Sequence, residues 1–339
     1  MRRCRSAASM SEPDPAAWRD APKVELHLHL EGAAPPALAT SVAREQGADL
    51  SDVLDAEGGY RWRDFGSFLD AYDRVARLFA PPDRARRLCE AVLRACAAEG
   101  VIYAELIVSP DFAGGDAAGW AEHLAALDEG ADAAEAACGI VARFTPTAIR
   151  HFGAEAAERA ARLAVGSRSA RVAGFGLAGD ERAGAPADFA RAFAIAREAG
   201  LGLTAHAGEF GGPESVRAAL DALGLRRVGH GVRAIEDPAL VARLAAEGVV
   251  LETCPGSNVA LGVYPDWAAH PIGRLRDAGC RVTVSTDDPP FFHTTMSREY
   301  AMLAELGWSA EALGGLARTA LDAAFCDAET RARLAQALG

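Results

Sequence analysis

The 339-residue chain lacks the features that mark several classes of protein. Its seven cysteines are scattered and form no Cys-x-x-Cys pair, a pattern that favours reduced thiols in a cytoplasmic protein over disulfides or a cysteine zinc site. No apolar run approaches the roughly 18 residues that span a bilayer, so no membrane association is expected. Lys and Arg number 35 against 47 Asp and Glu, without a basic patch, which argues against a nucleic-acid partner.

The N-terminus also lacks an apolar segment of the kind that a secretory signal requires. We therefore predict a flexible leader over residues 1–20, in which Met10 is an alternative start, and one domain over residues 21–339. No linker or change of composition divides that domain.

What the chain does contain is a regular alternation of apolar strand segments with helical segments. Eight strands are predicted, near residues 24–32, 101–108, 140–148, 172–177, 201–209, 227–230, 249–254 and 281–288. Eight such units in about 260 residues match an α/β fold, a single-domain (β/α)8 TIM barrel with extra helices. A doubly wound open sheet is the alternative, but no Gly-x-Gly-x-x-Gly turn follows any strand.

The first predicted strand, residues 24–32, alternates polar and apolar residues. His27 and His29 therefore point to one face, about 6.5–7 Å apart along the strand. Two imidazoles at this spacing can approach a common metal ion, although an ordinary amphipathic strand has the same pattern.

Polar residues recur where the predicted strands end, the edge at which barrel enzymes carry their active sites. These residues are His27, His29, Glu105, His151, Asp180, His206, Glu209, His230, Asp287 and Asp288. Three imidazoles and a carboxylate suit zinc, with iron, cobalt or manganese as alternatives. The other histidines, at 123, 270 and 293, are predicted to be surface or loop residues.

Glu209 follows His206 by three residues, close enough to contact a metal-bound water without ligating. A metal lowers the pKa of such a water towards ~7, and a carboxylate and a histidine beside it can move the protons. A binuclear hydrolase would be expected to have a bridging lysine at a strand end in the middle of the chain. The only lysine is Lys23, which argues for one metal ion.

Six motifs jointly resemble the adenosine deaminase family of the amidohydrolase superfamily, in family order from residue 22 to about residue 300. They are residues 24–32, Leu177-Ala178-Gly179-Asp180-Glu181, His206-Ala207-Gly208-Glu209, Gly229-His230-Gly231-Val232, Cys254-Pro255-x-Ser257-Asn258 and Ser285-Thr286-Asp287-Asp288-Pro289.

The resemblance implies one Zn²⁺ per chain and hydrolytic deamination of a 6-aminopurine. The implied zinc ligands are His27, His29, His206 and Asp287. Glu209 matches the residue that protonates the purine N1, His230 the residue that orients the attacking hydroxide, and Asp288 the residue that bonds the hydroxide and the purine N7. The implied substrate contacts are His29, Glu31, Gly179, Phe68, Tyr72, His151 and Asp288.

Four of these contacts have alternatives. Phe68 and Tyr72 belong to a stripe of apolar residues at helical spacing, which either covers the pocket or packs in the core. His151 either contacts substrate or supports other site residues from behind. Glu31 either contacts substrate or caps the helix that follows it.

Glu31 also departs from the family pattern, because adenosine deaminases typically have an aspartate there that contacts the ribose 5′-hydroxyl. A glutamate resembles adenine deaminases and the aminodeoxyfutalosine deaminases of menaquinone synthesis, whereas the Gly179-Asp180-Glu181 turn resembles the adenosine type. The sequence therefore predicts adenosine or deoxyadenosine as the substrate, with adenine or aminodeoxyfutalosine as the alternative.

Two other classes of function remain open, another mononuclear metal hydrolase and a non-catalytic binding protein. The latter would be expected to lack Glu209 or a ligand, and none is missing. The expected partner is a small purine nucleoside or base, and the expected state is a monomer or homodimer.

Overall fold

The computed structural model describes residues 14–339, which contain nine parallel strands and thirteen α-helices. The strands are β1 Lys23–His29, β2 Val101–Val108, β3 Val141–Ile149, β4 Gly174–Ala178, β5 Gly202–Leu203, β6 His206–Ala207, β7 Arg227–His230, β8 Val250–Thr253 and β9 Arg281–Val284. The helices are α1 Pro36–Gln46, α2 Phe65–Leu78, α3 Pro82–Ala98, α4 Ala117–Cys138, α5 Ala154–Val165, α6 Ala190–Glu198, α7 Pro213–Leu223, α8 Pro238–Glu247, α9 Pro255–Ala260, α10 Ile272–Asp277, α11 Met296–Glu305, α12 Ala310–Ala323 and α13 Ala328–Leu338.

The strands close into a ring of eight positions. β1 to β5 pair in sequence order, as do β6 to β9. β5 and β6 are two pieces of one strand position, since its first half bonds to β4 and its second half to β7. Asp287, just beyond β9, closes the ring: its N–H donates to the carbonyl of His27 (3.1 Å) and its carbonyl accepts from His29 (3.0 Å). The predicted barrel class is confirmed, and solved structures described below share the fold.

Capping explains why α2 begins where it does. The carboxylate of Asp64 accepts from the N–H of Ser67 (2.8 Å), and the Ser67 hydroxyl accepts from the N–H of Asp64 (3.0 Å). This reciprocal capping box fixes the first turn of a helix. It thereby sets the rotation at which α2 presents its aromatic stripe, including Phe68 and Tyr72, to the end of the barrel.

A buried ion-pair network lies inside the barrel, below the strand ends. The Arg227 guanidinium donates to Glu105 (2.7 Å) and to Glu252, and it stacks 3.6 Å from the centre of the Phe325 ring. The side chains of Arg227, Glu105 and Glu252 are at most 2% exposed. Charges so deeply buried persist only when paired.

Three local predictions differ from the structure. The strand predicted at 201–209 is two short pieces, since its pairing passes from β4 to β7 part of the way along. The sequence also predicts a helix over residues 186–199, but its first turn is a 3₁₀ helix, Pro186–Phe189, and α6 follows it. Helix α9 was not predicted.

The predicted leader, residues 1–20, lies mostly outside the described residues, as does the alternative start at Met10. Of its described part, Pro15–Trp18 forms a 3₁₀ helix, and the Trp18 ring lies 6.3 Å from that of Tyr300. Within residues 14–339, no helix combines the length and apolarity needed to cross a membrane. The domain bounds at 21–339 stay a prediction.

Candidate active site

Four side chains converge where the first, fifth and eighth strand positions end. The Nε2 atom of His206 lies 3.1 Å from Nε2 of His27 and 3.2 Å from Nε2 of His29. Oδ1 of Asp287 lies 3.5 Å and 3.2 Å from the same two histidine atoms. All four residues are buried except His29, which is partly exposed. The structure thus brings together the four residues that were predicted as metal ligands.

Hydrogen bonds to the Nδ1 atoms of two imidazoles determine whether the Nε2 atoms that face the centre of the cluster carry a proton. Nδ1 of His27 lies 2.9 Å from the Glu252 carboxylate, and Nδ1 of His206 lies 3.1 Å from the carbonyl oxygen of Leu177. Both Nδ1 atoms therefore carry the proton, because these acceptors have none to give. When both rings are neutral, each Nε2 keeps a lone pair, and two lone pairs only 3.1 Å apart repel unless a cation lies between them.

The spacing of these atoms also fits a metal ion. Ligand atoms about 2.0–2.1 Å from a tetrahedral zinc ion lie roughly 3.3–3.4 Å from one another. Of the six separations among the four atoms, the four given above run from 3.1 to 3.5 Å. The donor set and its dimensions therefore both fit a metal site.

Asp287 is held in place from two sides. Its Oδ2 accepts from the hydroxyl of Ser257 at 2.7 Å. On the other side, its Oδ1 faces Nε2 of His27 at 3.5 Å and Nε2 of His29 at 3.2 Å. Its backbone has φ +66°, and that of His230 has φ +59°. Left-handed backbone is unusual outside glycine and concentrates at functional sites.

The three residues predicted as catalytic border the same space, and each has an unsatisfied polar atom. Oε1 of Glu209, Nε2 of His230 and Oδ1 of Asp288 are buried without a hydrogen-bond partner. Nε2 of His230 lies 3.7 Å from Oε2 of Glu209 and 4.0 Å from Oδ2 of Asp287. Buried polar groups are normally paired. All three residues line the pocket described below, so a substrate or water bound there can supply the missing partners.

Burial dominates the acid–base properties of the two free carboxyls. It raises the pKa of Glu209 well above the usual range, helped by the charges of Asp287 and Glu181. It raises the pKa of Asp288 in the same direction, with Asp287 as the next cause. A bound cation would offset part of both shifts. A protonated Glu209 can act as an acid towards a bound molecule.

The loop that carries Glu209 is organised by Glu181, a residue for which the sequence analysis predicts no role. The carboxylate of Glu181 accepts from the hydroxyl of Ser215 and from four backbone N–H groups, those of residues 208–211, at 2.5–3.1 Å. So many donors on one carboxylate lower the pKa of Glu181 despite its burial. The only readable signal was its place in the Gly179-Asp180-Glu181 turn.

A pocket with about 630 Å³ of empty volume opens above the cluster. It is lined by His29, Phe65, Phe68, Leu69, Tyr72, Asp73, Phe112, Ile149, His151, Ala178, Gly179, His206, Glu209, His230, Leu261, Asp287 and Asp288. Every predicted substrate contact except Glu31 is in this set.

Gly179 and His151 lie against each other in the pocket wall. Gly179 has φ +91°, and a β-carbon there would lie 3.0 Å from Nδ1 of His151. Glycine is therefore needed both for the backbone conformation and for the close approach. This leaves the Gly179 backbone exposed to the pocket.

Glu31 lies one step behind the pocket wall. Its carboxylate accepts from the Tyr72 hydroxyl at 3.2 Å, and burial raises its pKa to about 7. It does not cap the next helix, because α1 begins without a side-chain cap. The helix-cap role is therefore excluded. Contact with a molecule bound beside Tyr72 stays the predicted role of Glu31.

Sequence reasoning placed two histidines wrongly. His123 and His270 were expected at the surface or in loops, but both are buried. His123 lies inside α4, with Nδ1 3.2 Å from the carbonyl oxygen of Ala80. His270 bonds to Asn258, which in turn bonds to His230. His293 is exposed, as expected.

The single lysine lies away from the cluster. Nζ of Lys23 donates to the carbonyls of Ala21 and Glu99 at 2.7 Å and to that of Trp18. It ties the segment before β1 to the end of α3. No lysine is therefore available to bridge a second metal ion.

Comparisons with known proteins find relatives over nearly the whole chain. The family model described as adenosine deaminase matches residues 22–339. The adenine deaminase of Rhizobium leguminosarum bv. trifolii is 51% identical over 313 residues, which cover 92% of this chain and 97% of the relative.

Two solved structures are similar over nearly their whole length. An adenine deaminase from Arthrobacter aurescens is 30% identical, with a TM-score of 0.85, covering 94% of this chain and 98% of that chain. An amidohydrolase from Burkholderia ambifaria with bound zinc is 29% identical, with a TM-score of 0.87, covering 98% and 94%.

Proposed function

The chain belongs to the adenosine deaminase family, and from that premise we propose that it hydrolyses adenine to hypoxanthine and ammonia. Its class, a purine deaminase, is the one predicted from the sequence and is confirmed. The order of preferred substrates changes, however. Adenosine was the first expectation, whereas the relatives named above are adenine deaminases, so the alternative takes precedence.

The observation that carries the choice of a free base is the pocket wall beyond the cluster. It consists mainly of apolar side chains, among them Phe65, Phe68, Leu69, Phe112 and Leu261. A ribose in this region would lose water from its hydroxyls, at a cost of about 1–3 kcal/mol for each that finds no partner. A flat purine ring instead packs well between such side chains.

The pairing of Glu31 with Tyr72 supports the same choice. Free adenine carries a ring N–H on its five-membered ring, where adenosine carries the ribose. The Tyr72 hydroxyl is the only donor from another residue that the Glu31 carboxylate has among the described residues. Its two oxygens can accept a further hydrogen bond, and that ring N–H is a suitable donor. Adenosine would place a bulky group there.

A metal ion fits the cluster, and we assign it as one Zn²⁺ held by His27, His29, His206 and Asp287. When bound, zinc acts as a Lewis acid that lowers the pKa of water to about 7 and so supplies a nucleophile at neutral pH. Glu252 and the carbonyl of Leu177 keep His27 and His206 in the tautomers that ligation needs.

The remaining steps belong to side chains that face the pocket. Glu209 donates its proton to N1 of the purine ring while the attacking oxygen adds to C6. Asp288 accepts a hydrogen bond from the attacking group, and His230 orients it. The C6–N bond then breaks, and the amino group leaves as ammonia with one of the two protons of the attacking water. The other proton returns to Glu209 and replaces the one that it gave to N1. The backbone N–H of Gly179 and the rings of Phe68 and Tyr72 hold the base, with His151 beside Gly179.

Ammonia release from zinc-loaded protein tests the proposal, with adenine, adenosine, deoxyadenosine, aminodeoxyfutalosine and N6-substituted adenines as substrates. Adenine should lead adenosine in kcat/KM by about 100-fold or more, which corresponds to about 2.7 kcal/mol. Adenosine ahead would overturn the choice of substrate, and release from none of them would overturn the proposed function. Glu209→Gln is the matched control: it should keep its zinc and lose most turnover.

A further inference from the structure

His230 can play different parts depending on which ring nitrogen carries its proton. The ring is fully buried, and its Nε2 faces the space between Glu209 and Asp287 without a partner of its own. With a proton on Nε2, the ring donates a hydrogen bond into that space. Without one, Nε2 is a lone pair that could accept a proton from the nucleophile.

Three hydrogen bonds behind His230 determine which of its ring nitrogens carries the proton. The bond farthest from His230 can have only one donor, and this sets the direction of the other two. The backbone N–H of Ile272 lies 3.3 Å from Nδ1 of His270. A backbone N–H can only donate, so Nδ1 of His270 is an acceptor. The proton of a neutral His270 then lies on Nε2.

The proton on Nε2 of His270 determines the donor and the acceptor in each of the two hydrogen bonds that lead to His230. Nε2 of His270 lies 3.1 Å from Oδ1 of Asn258, so His270 donates to that oxygen. The amide nitrogen Nδ2 of Asn258 lies 3.3 Å from Nδ1 of His230 and donates to it. Nδ1 of His230 therefore accepts, and its proton is on Nε2. A doubly protonated His230 would set its Nδ1–H against the amide hydrogens of Asn258.

Asn258 and His270 are both buried and held in place, so the hydrogen bonds between them and His230 keep these directions. Asn258 lies in α9, and its backbone carbonyl accepts from the N–H groups of Val263 and Tyr264 at 2.9 and 3.2 Å. Its side chain is fully buried. The His270 ring packs 5.2 Å from the Tyr264 ring, and burial lowers the pKa of His270 to about 3, so it is neutral at neutral pH.

We propose that Asn258 and His270 are positioning residues that hold His230 in the tautomer with its proton on Nε2. His230 then serves as a hydrogen-bond donor to the attacking oxygen, and proton transfer falls to Glu209. The effect on turnover rests on the proposed deamination, whereas the tautomer itself does not.

Long-range ¹H–¹⁵N spectra of protein labelled with [¹⁵N]histidine measure the tautomer directly, whether or not any substrate is turned over. The spectra are recorded with and without zinc, and the His230 signals are identified by their loss in His230→Asn. We expect an acceptor-type shift at Nδ1 of His230 and an N–H shift at Nε2. A proton on Nδ1 in the unaltered protein overturns the proposal.

Asn258→Asp is the decisive variant, because it keeps the shape of the side chain and makes both its oxygens acceptors. His270 can still donate to one oxygen, while the other draws the His230 proton to Nδ1. We expect reversed His230 shifts and a fall in kcat of about 100-fold, with similar KM and zinc content. A wrong histidine tautomer costs up to about 10⁴-fold in a serine protease.

Two further variants separate positioning from packing. His270→Gln retains a donor towards Asn258, so it should keep the tautomer and more activity than His270→Leu. His123→Gln replaces another buried histidine, far from the pocket, and should leave kcat unchanged. Unchanged His230 shifts or unchanged kcat in Asn258→Asp would overturn the proposal. If no purine is deaminated while the shifts behave as expected, only the proposed function fails.

Discussion

A β-carbon on Gly32 would lie 1.5 Å from Oδ1 of Asp288, so the two residues occupy their places only because position 32 is glycine. Asp288 is 4% exposed and packs directly over the turn that follows β1. The glycine that ends the His-x-His-x-Glu-Gly segment therefore sets the position of a carboxylate some 250 residues later in the chain.

Gly32→Ala should reduce turnover while leaving the metal cluster intact. The added methyl group forces Asp288 out of place, and a misplacement of about 1 Å in an active site can cost roughly 100-fold in rate. The measurement is kcat with adenine, together with zinc content and the melting temperature. Gly315→Ala is the control, since nothing lies within 4 Å of a β-carbon there. A Gly32→Ala enzyme with normal kcat would show that the position of Asp288 does not matter.

The candidate site residues at strand ends could be predicted from the sequence, because a barrel brings all such ends to one face. His27, His206 and Asp287 were found in this way. The sequence also predicts helices near residues 82–98 and 154–165, and α3 and α5 have these bounds, since proline or glycine marks where they begin or end.

The residues that support the site could not be found in the same way. Glu181 acts through the backbone of a loop 27 to 30 residues further on, and His270 is buried only by tertiary packing. Glu252 gave the one usable signal, a carboxylate in the middle of an apolar strand, which must be paired if it is buried. The sequence does not reveal that its partners are Arg227 and His27.

Glu31→Asp should shift preference from adenine towards adenosine. Shortening the side chain by one methylene draws the carboxylate back from the pocket wall and leaves room for a group on N9 of the purine. The ratio of kcat/KM for adenosine to that for adenine should rise at least about tenfold. Tyr72→Phe removes only the hydroxyl that donates to Glu31 and should change the ratio less. If the ratio of kcat/KM for adenosine to that for adenine is the same in Glu31→Asp and in the parent enzyme, Glu31 does not discriminate between substrates by the group on N9.

Glu252→Gln should weaken zinc binding by about 10–100-fold, the usual effect of losing a partner behind a ligating histidine. The carboxylate accepts the proton of His27 Nδ1 and so makes the opposite nitrogen a better ligand. Competition with a chelator of known affinity measures the change.

Glu105→Gln provides the matched control for that variant. Glu105 is the other carboxylate bound to Arg227, and it is equally buried. Both variants disturb the ion-pair network and should lower the free energy of unfolding, but only Glu252 contacts His27. Equal loss of zinc affinity in the two variants would mean that the network, and not the bond to His27, supports the metal.

Glu299 in α11 should make stability depend on pH. Its carboxyl accepts from the Thr294 hydroxyl at 2.6 Å and from the N–H of Gly256 at 3.2 Å, yet burial raises its pKa from 4.5 to about 8. Between these two values the folded protein holds a proton that the unfolded chain has released. The free energy of unfolding therefore falls as pH rises through this window, by up to about 1.4 kcal/mol for each pH unit.

Glu299→Gln mimics the protonated acid at every pH, because its amide can donate where the acid O–H donates and its oxygen can accept. The difference in unfolding free energy, variant minus parent, should become more positive between pH 5 and pH 8 in denaturant titrations. Glu305→Gln, at an exposed position of the same helix, should show no such trend. A difference for Glu299→Gln that stays constant or falls over this range would mean that the buried carboxyl is already ionised at pH 5. The hydrogen bonds from Thr294 and Gly256 would then outweigh its burial.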